Sequence, residues 1–246
     1  LKKRIDREFN IKYPNRNKII RTLFSTLTLL KNMQDFTIYK FDFKNFFNSI
    51  SSSYVNQIYL KGSNLSRTEK SLLTQYYDNF RYTFSGLSIS NTLCELIARD
   101  FDNMLKQKLK DFGIIFYQRY IDDCLIISNT NMAEENLETI IAEVISTVFY
   151  RHNISIKCKV KLNPDKSIYI SKRNLQEIKI LKYLGYQINF EFRSNQMTLS
   201  YGMTEEKIHK YQNKLNKLIS DNIKSKFSEE LLRQKVKAFC HRIVYL

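Results

Sequence analysis

Hydrophobic and polar positions along the chain follow two periods, one of three to four residues and one of two. Ile20, Leu23, Phe24, Leu27 and Leu30 recur at three- and four-residue spacing, which predicts an amphipathic helix over about 17–33. The segment FTIYKFDF (36–43), rich in aromatic and β-branched residues, predicts a strand ending at Asp42. Ser66 followed by Glu69 has capping-box spacing and opens a helix to about Phe80; LSISNTLCELIARDFDNMLKQKLKDFG predicts a long helix stopped near Gly113. IIFYQRY and CLIIS flank Ile121, Asp122 and Asp123, a hairpin pattern with acidic residues at its tip. Asn131 with Glu134 predicts a capped helix to about 151, and ISIKCKVKL, SIYIS, LKYLGYQINF and MTLSY predict short strands. From Thr204 two basic amphipathic helices follow, TEEKIHKYQNKLNKLISD and SEELLRQKVKAFCHRIVYL. The order of elements is that of an α+β layout with a mainly antiparallel sheet.

Composition narrows the partners. The 246 residues, 43% hydrophobic, suffice for one large domain or two small ones with a buried core. Five glycines and two prolines, with no internal repeat or low-complexity linker, leave the segment boundaries to periodicity. Forty Lys and Arg against 24 Asp and Glu give a formal charge of +16, an excess that concentrates polyanions, so nucleic acid is the first partner implied. Ribosome-bound, heparin-binding and membrane-surface proteins share such a balance. Cys94, Cys124, Cys158 and Cys240 are far apart and form no C-x-x-C pair, so neither a zinc ribbon nor a disulfide framework is indicated and reduced thiols are expected. No apolar run approaches a bilayer span and LKKRIDREFN lacks a signal-peptide core, so the expectation is a soluble cytoplasmic protein without a membrane partner. Residue 1 is Leu rather than Met, which predicts a fragment of a longer product.

Three aspartates draw attention by position. Asp42 ends a predicted strand, and Asp122 with Asp123 sits at a hairpin tip eighty positions later. Aspartate in such places is ordinarily a turn former. Two or three carboxylates at the ends of neighbouring strands also provide the few hard oxygen ligands that Mg²⁺ takes beside phosphates and water, the arrangement that metal-assisted phosphoryl transfer needs.

Their contexts are specific. DFKNFFNSI (42–50) resembles motif A of reverse transcriptases, an Asp followed five residues later by an aromatic, and FYQRYIDDCLIIS resembles motif C, Y-x-D-D between two apolar strands. LNPDKS (162–167) resembles motif D and KYLGYQI (182–188) the L-G-Y of motif E. The four occur in family order and are followed by basic helices. Over about 35–190 the chain resembles the reverse transcriptase (RNA-directed DNA polymerase) family, most closely the prokaryotic abortive-infection and defence-associated members.

The resemblance implies a right-hand polymerase: an antiparallel-sheet palm (35–50 and 85–202), helical fingers (1–34 and 51–84) and the start of a helical thumb (203–246). It implies a nucleotidyltransferase that joins dNTPs on DNA or RNA, with Asp42 and Asp122 holding two Mg²⁺ ions, for which Mn²⁺ would substitute. The Phe43 carbonyl would assist and Asp123 support the cluster. Phe47 falls at the steric-gate position, where a ring under the sugar excludes a 2′-hydroxyl and favours deoxynucleotides; Tyr120 and Gly86 join it as substrate-contacting positions. Lys166 matches the motif D lysine, which protonates departing pyrophosphate or screens its charge. The segment 203–246 carries ten Lys and Arg against five Asp and Glu, and Lys207, Lys210, Lys214 and Lys217 recur at helical spacing to meet phosphates. Association into a homo-oligomer is compatible with all of this.

Motif B departs from the family. GLSISNTLCELIARD, from Gly86, has Ser88, Ile89 and Ser90 in place of P-Q-G, and Cys94–Glu95 in place of S-P. Tight backbone approach to the template is easier for glycine than for Ser90. Intact metal ligands with altered template handling resemble the abortive-infection and defence-associated members, and that resemblance implies antiphage abortive infection with template-independent, protein-primed DNA synthesis. The rivals are a template-copying enzyme of a retron, intron or other mobile element, and a non-catalytic pseudo-polymerase that binds RNA.

Overall fold

The structure is a computed structural model; it describes residues 1–174, 178–193, 196–225 and 228–243. In chain order come α1 (Lys2–Glu8), α2 (Arg16–Leu30), β1 (Thr37–Asp42), α3 (Phe46–Ser49), α4 (Ser52–Val55), α5 (Arg67–Asn79) and α6 (Ser88–Lys108). The hairpin β2 (Ile114–Tyr120) and β3 (Asp123–Ser128) follows, then α7 (Glu134–Phe149), β4 (Ile168–Ser171), β5 (Lys179–Tyr183), β6 (Tyr186–Arg193) and β7 (Gln196–Met203). The last elements are α8 (Glu205–Ser225) and α9 (Glu229–Ile243); the expected end of the final helix, Val244 to Leu246, lies outside the described residues. Two compact units result, residues 1–15 with 32–174, and residues 16–31 with 175–246.

The first unit is built on a four-stranded antiparallel sheet in the order β2-β3-β1-β4. Strand β1 is buried along its whole length. Alternation of side chains gives it two different faces. Tyr39 and Phe41, opposite Ile126 and Cys124 of β3, enter a core shared with α6 and α7. There Phe43 packs edge-on to Phe101 and Phe149 at 5.1 and 6.1 Å between ring centres. Each such ring removed from water contributes roughly 1.5–3 kcal/mol. The other face of β1 carries Ile38, Lys40 and Asp42. Helix α6 buries Leu93, Ile97, Phe101 and Leu105 at helical spacing. Its path ends at Gly113, whose φ of +63° is left-handed and where an added Cβ would lie 2.0 Å from Asn129 Oδ1.

Three local expectations are corrected. Asn131 does not cap α7: Ala133 holds that position with no side-chain hydrogen bond. The neighbouring backbone is tied instead to Thr37, whose hydroxyl accepts from Met132 N–H at 2.9 Å and donates to the Thr130 carbonyl. Residues 154–162 form no strand. Their polar backbone goes elsewhere, Lys159 N–H to the Ser49 carbonyl at 2.7 Å and Cys158 N–H to that of Phe149, while Leu162 makes a single bridge to Phe43. LKYLGYQINF is two strands rather than one, because Leu184 and Gly185 both take positive φ (47° and 74°) and turn β5 into β6.

The second unit is a three-stranded antiparallel sheet, β5-β6-β7, with α2, α8 and α9. Phe24 of α2 stacks on Tyr201 at 4.7 Å and meets Tyr186 edge-on at 5.8 Å. The four cysteines are free, and burial pushes the thiols of Cys94 and Cys158 up to about 12, which keeps them protonated and unreactive. Among the described residues no helix is long and apolar enough to cross a membrane.

The capping box at α5 is complete: Glu69 N–H donates to Ser66 Oγ at 3.2 Å and Ser66 N–H to Glu69 Oε2 at 2.8 Å. Ser66→Ala is expected to cost about 1 kcal/mol of stability, read as a lower midpoint of thermal or urea unfolding; an unchanged midpoint would show that the cap contributes nothing.

Candidate active site

Antiparallel pairing of β1 with β3 sets Asp42 directly opposite Asp123. Directly opposed residues point to one face of the sheet, with Cβ atoms about 5 Å apart. Asp122 precedes Asp123 in the two-residue turn that joins β2 to β3, since Tyr120 pairs with Asp123 across the hairpin. The Phe43 N–H donates to the Asp122 carbonyl at 3.3 Å, and Asn163 N–H to the Asp42 carbonyl at 2.9 Å. Thus the end of β1, the hairpin tip and the 162–167 segment converge.

Two lysines neutralise part of this cluster. Lys166, on the short 3₁₀ turn Pro164–Lys166, donates to Asp42 Oδ2 at 2.8 Å. Lys40 lies two residues before Asp42 on the same face of β1 and reaches Asp123 Oδ1 at 3.3 Å. Their situations differ: the Lys166 side chain is 60% exposed, that of Lys40 9%. Asp42 is buried, and its Oδ1 has no hydrogen-bond partner. A buried carboxylate oxygen without a partner is costly and calls for a cation or donor. The Asp122 carboxyl is held above the ordinary range by burial first, then by the charges of Asp123 and Asp42, with Lys166 opposing. The Lys166 ammonium is raised by its hydrogen bond to Asp42.

Beside the cluster a cavity of about 180 Å³ is lined by Phe47, Tyr120 and Ile121, with Tyr13, Asn91 and Glu95. Phe47 is half-buried against the core and its carbonyl accepts from the Thr83 hydroxyl. Gly86 has φ +98°, and an added Cβ would meet nothing within 4 Å. Ser90 turns inward: it is fully buried, accepts from Phe84 N–H at 3.3 Å and contacts the Tyr76 hydroxyl at 3.0 Å.

The description "Reverse transcriptase (RNA-dependent DNA polymerase)" belongs to the family whose model matches residues 4–188. The chain belongs to the reverse transcriptase family. That description is of an RNA-dependent DNA polymerase, a nucleotidyltransferase class. Among solved structures, apo telomerase from Candida tropicalis, truncated from its C-terminal domain, matches with a TM-score of 0.53 at 14% identity over 82% of this chain and 44% of that one. Telomerase from Candida albicans, in complex with the TWJ fragment of telomeric RNA, gives 0.52 at 14% identity over 83% of this chain and 36% of that one. The likeness is one of fold, a mixed helical and antiparallel-sheet polymerase fold, and this chain spans less than half the length of either telomerase. No curated protein matches the sequence.

Reverse transcriptases use divalent metal ions, and the donor set here suits one. Mg²⁺ needs only one or two protein carboxylates beside phosphate and water, and the unpartnered Oδ1 of Asp42 lies on the strand end that faces Asp123. Among the described residues, however, no three carboxylate, imidazole or thiol side chains are grouped as a finished metal site. The ammonium groups of Lys40 and Lys166 take up carboxylate oxygens that a bound ion would otherwise claim. Lys166 is the one that solvent exposure leaves free to move.

In the second unit the expected nucleic-acid contacts divide. Lys207 is buried, its ammonium 3.4 Å from the centre of the Tyr186 ring, and burial with the nearby Arg16 pushes it down to about 8. Lys210, Lys214 and Lys217 are exposed on α8. A cavity of about 400 Å³ is lined by Arg16, Gly185, Lys207, Lys210 and Lys214. Sequence patterns alone missed Lys40, Glu95 and Arg119. Their signal was a charge at a position where the strand or helix pattern calls for an apolar residue.

Ionised Asp122 is disfavoured in the fold relative to the unfolded chain, so the native state binds more protons over the raised window and stability falls as pH rises through it. Asp122→Asn is therefore expected to melt higher than the parent at neutral pH without divalent metal, and the difference should shrink at acid pH. Added Mg²⁺ should raise the midpoint of the parent more than that of the variant. A variant that melts lower, or that gains as much from Mg²⁺, would remove the carboxylate cluster as the source of the shift.

Proposed function

We infer that the chain carries out deoxynucleotidyl transfer at Asp42, Asp122 and Asp123, with a pair of Mg²⁺ ions held by Asp42, Asp122 and the Phe43 carbonyl. The observation that carries this is the buried, unpartnered Asp42 Oδ1 on a strand end placed opposite Asp123. Two such ions, when bound, would neutralise the triphosphate and lower the pKa of the attacking 3′-hydroxyl. The chain's own groups do the rest. Asp123, held by Lys40, keeps the cluster's charge and spacing. Lys166, an exposed ammonium now on Asp42, would serve as proton donor or counter-charge to the departing pyrophosphate. Phe47 forms the floor of the nucleotide pocket with Tyr120 beside it, so a ribose 2′-hydroxyl meets the ring. Gly86, at the start of α6, leaves room for close backbone approach of the substrate or template.

Residues 35–50 and 85–202 would act as palm, 1–34 and 51–84 as fingers, and 203–246 as the start of the thumb. Lys210, Lys214 and Lys217 would meet phosphates there, with Lys207 beneath them. The chain's +16 charge and the RNA-bound state of one telomerase neighbour support a nucleic-acid partner. The altered motif B supports template-independent and protein-primed synthesis in antiphage abortive infection. One observation favours a second possibility, a template-copying enzyme: Ser90 is turned away into the core and Gly86 borders open space, so neither blocks a template.

Full-length protein incubated with Mg²⁺ and labelled dNTPs, with and without primer and template, separates these. Product sequences unrelated to template and attached to protein support the first; free products dictated by template support the second. Asp122→Asn should abolish incorporation in either case, and retained activity would remove the mechanism. Phe47→Ala should reduce discrimination against ribonucleotides by roughly 100-fold, measured as the ratio of kcat/KM for dNTP and rNTP; unchanged discrimination would assign Phe47 to packing alone.

A further inference from the structure

The turn that presents Asp122 is held in an unfavourable backbone. Ile121 has φ +60°, a left-handed conformation that costs a β-branched residue more than any other type. Such a turn persists only where its surroundings fix it. Arg119, two residues earlier on β2, does so: its Nη1 donates to the Ile121 carbonyl at 2.9 Å. The guanidinium is itself immobilised. Nη1 and Nη2 donate to the two carboxylate oxygens of Glu95 at 3.1 and 2.7 Å, while Nε and Nη2 donate to Asp102 at 3.0 and 3.0 Å. Every N–H of the guanidinium is thereby used. The Arg119 side chain is 3% exposed. Asp102 also accepts from the Tyr117 hydroxyl at 2.7 Å, which fixes its orientation.

Glu95 and Asp102 lie seven residues apart on one face of α6, so the fork bridges two turns of a long, well-packed helix. A buried ion triad of this kind adds little net stability compared with apolar packing of the same volume. What it adds is position. Burial alone would lower the affinity of Arg119 for its proton, but Asp102 and Glu95 outweigh this and keep it charged.

The geometry points to Arg119 as a positioning residue: through the Ile121 carbonyl it holds the strained turn that carries Asp122 beside the Asp42–Asp123 pair. Glu95 and Asp102 serve as its anchors on α6. Glu95 also lines the cavity with Phe47 and Tyr120, so one ion network couples the metal-facing turn to the nucleotide pocket. The role rests on Asp122 being a metal-binding carboxylate, as inferred above. It gives a function to Glu95, which stands where family members carry S-P.

Arg119→Lys keeps the charge but loses the planar fork, so it cannot satisfy Glu95, Asp102 and the Ile121 carbonyl together. In the full-length protein its kcat for dNTP incorporation should fall roughly 10- to 100-fold with KM for dNTP little changed, and Mn²⁺ affinity, read from the electron paramagnetic resonance of free Mn²⁺ without substrate, should weaken by a similar factor. Glu95→Gln, which keeps an acceptor for Nη1, should show the same two effects to a smaller extent, and it carries the test if Arg119→Lys does not fold. A variant that melts lower yet retains parental kcat per folded molecule and parental Mn²⁺ affinity overturns the positioning role and leaves Arg119 a packing residue. Failure of the underlying chemistry looks different: Asp122→Asn would then retain incorporation and Mn²⁺ binding, whatever Arg119→Lys does.

Discussion

The antiparallel register of β1 with β3 is the constraint on which the rest depends. It aligns Thr37 with Ser128 at one end and Asp42 with Asp123 at the other. A slip of one residue would turn Asp42 into the core occupied by Phe101 and Phe149 and send Phe41 to the opposite face. Aromatic packing on one face therefore enforces the carboxylate pairing on the other. Tyr39 and Phe41 can enter the core only when Lys40 and Asp42 are on the site face. The hydrophobic effect thus sets the geometry of a polar site that it does not itself contact.

That site face is electrostatically expensive. Two carboxylates pair with ammoniums, Asp42 with Lys166 and Asp123 with Lys40, and Asp42 is almost wholly removed from water with an oxygen left unpaired. Burial and mutual repulsion lift Asp122, which means that the ligand-free site is held against its own charge. A strand buried along both faces, as β1 is, would be more stable with apolar residues at 40 and 42. Stability given up at one place, and recoverable on binding a cation, is what the proposed metal site requires. The two lysines play unequal parts in this, because exposure allows Lys166 to leave while burial keeps Lys40 beside Asp123.

Much of this was legible in the sequence because it is local. The alternating pattern of FTIYKFDF, the acidic tip between IIFYQRY and CLIIS, and the Ser66–Glu69 spacing each encode their structure within a few residues, and each is found where expected. The family motifs joined positions far apart that periodicity could not. Features that depend on long-range partners were not legible. Asn131 has the chemistry of a cap, yet Thr37, ninety-four positions earlier, holds that backbone. The segment ISIKCKVKL has a strand's alternation, but its donors find the ends of distant elements rather than a neighbouring strand. Arg119 reads as a charge at a strand position that calls for an apolar residue; only the fold brings Glu95 and Asp102 to it.

The departures in motif B take on a different meaning once their side chains are followed. From sequence, Ser90 and Glu95 stand at positions where family members present glycine and S-P to the template, which implies altered template handling. In the fold both turn inward. Ser90 satisfies the Phe84 N–H and the Tyr76 hydroxyl at the first turn of α6, and Glu95 satisfies Arg119. Neither is a surface that has decayed, since a buried hydroxyl and a buried carboxylate with good partners are costly to assemble. The changes have moved from template-facing chemistry to the anchoring of α6 and, through Arg119, of the turn that carries Asp122. On the proposed function, template handling and metal geometry are joined through one helix, and altering the first without disturbing the second requires the kind of internal compensation that Glu95 and Arg119 provide.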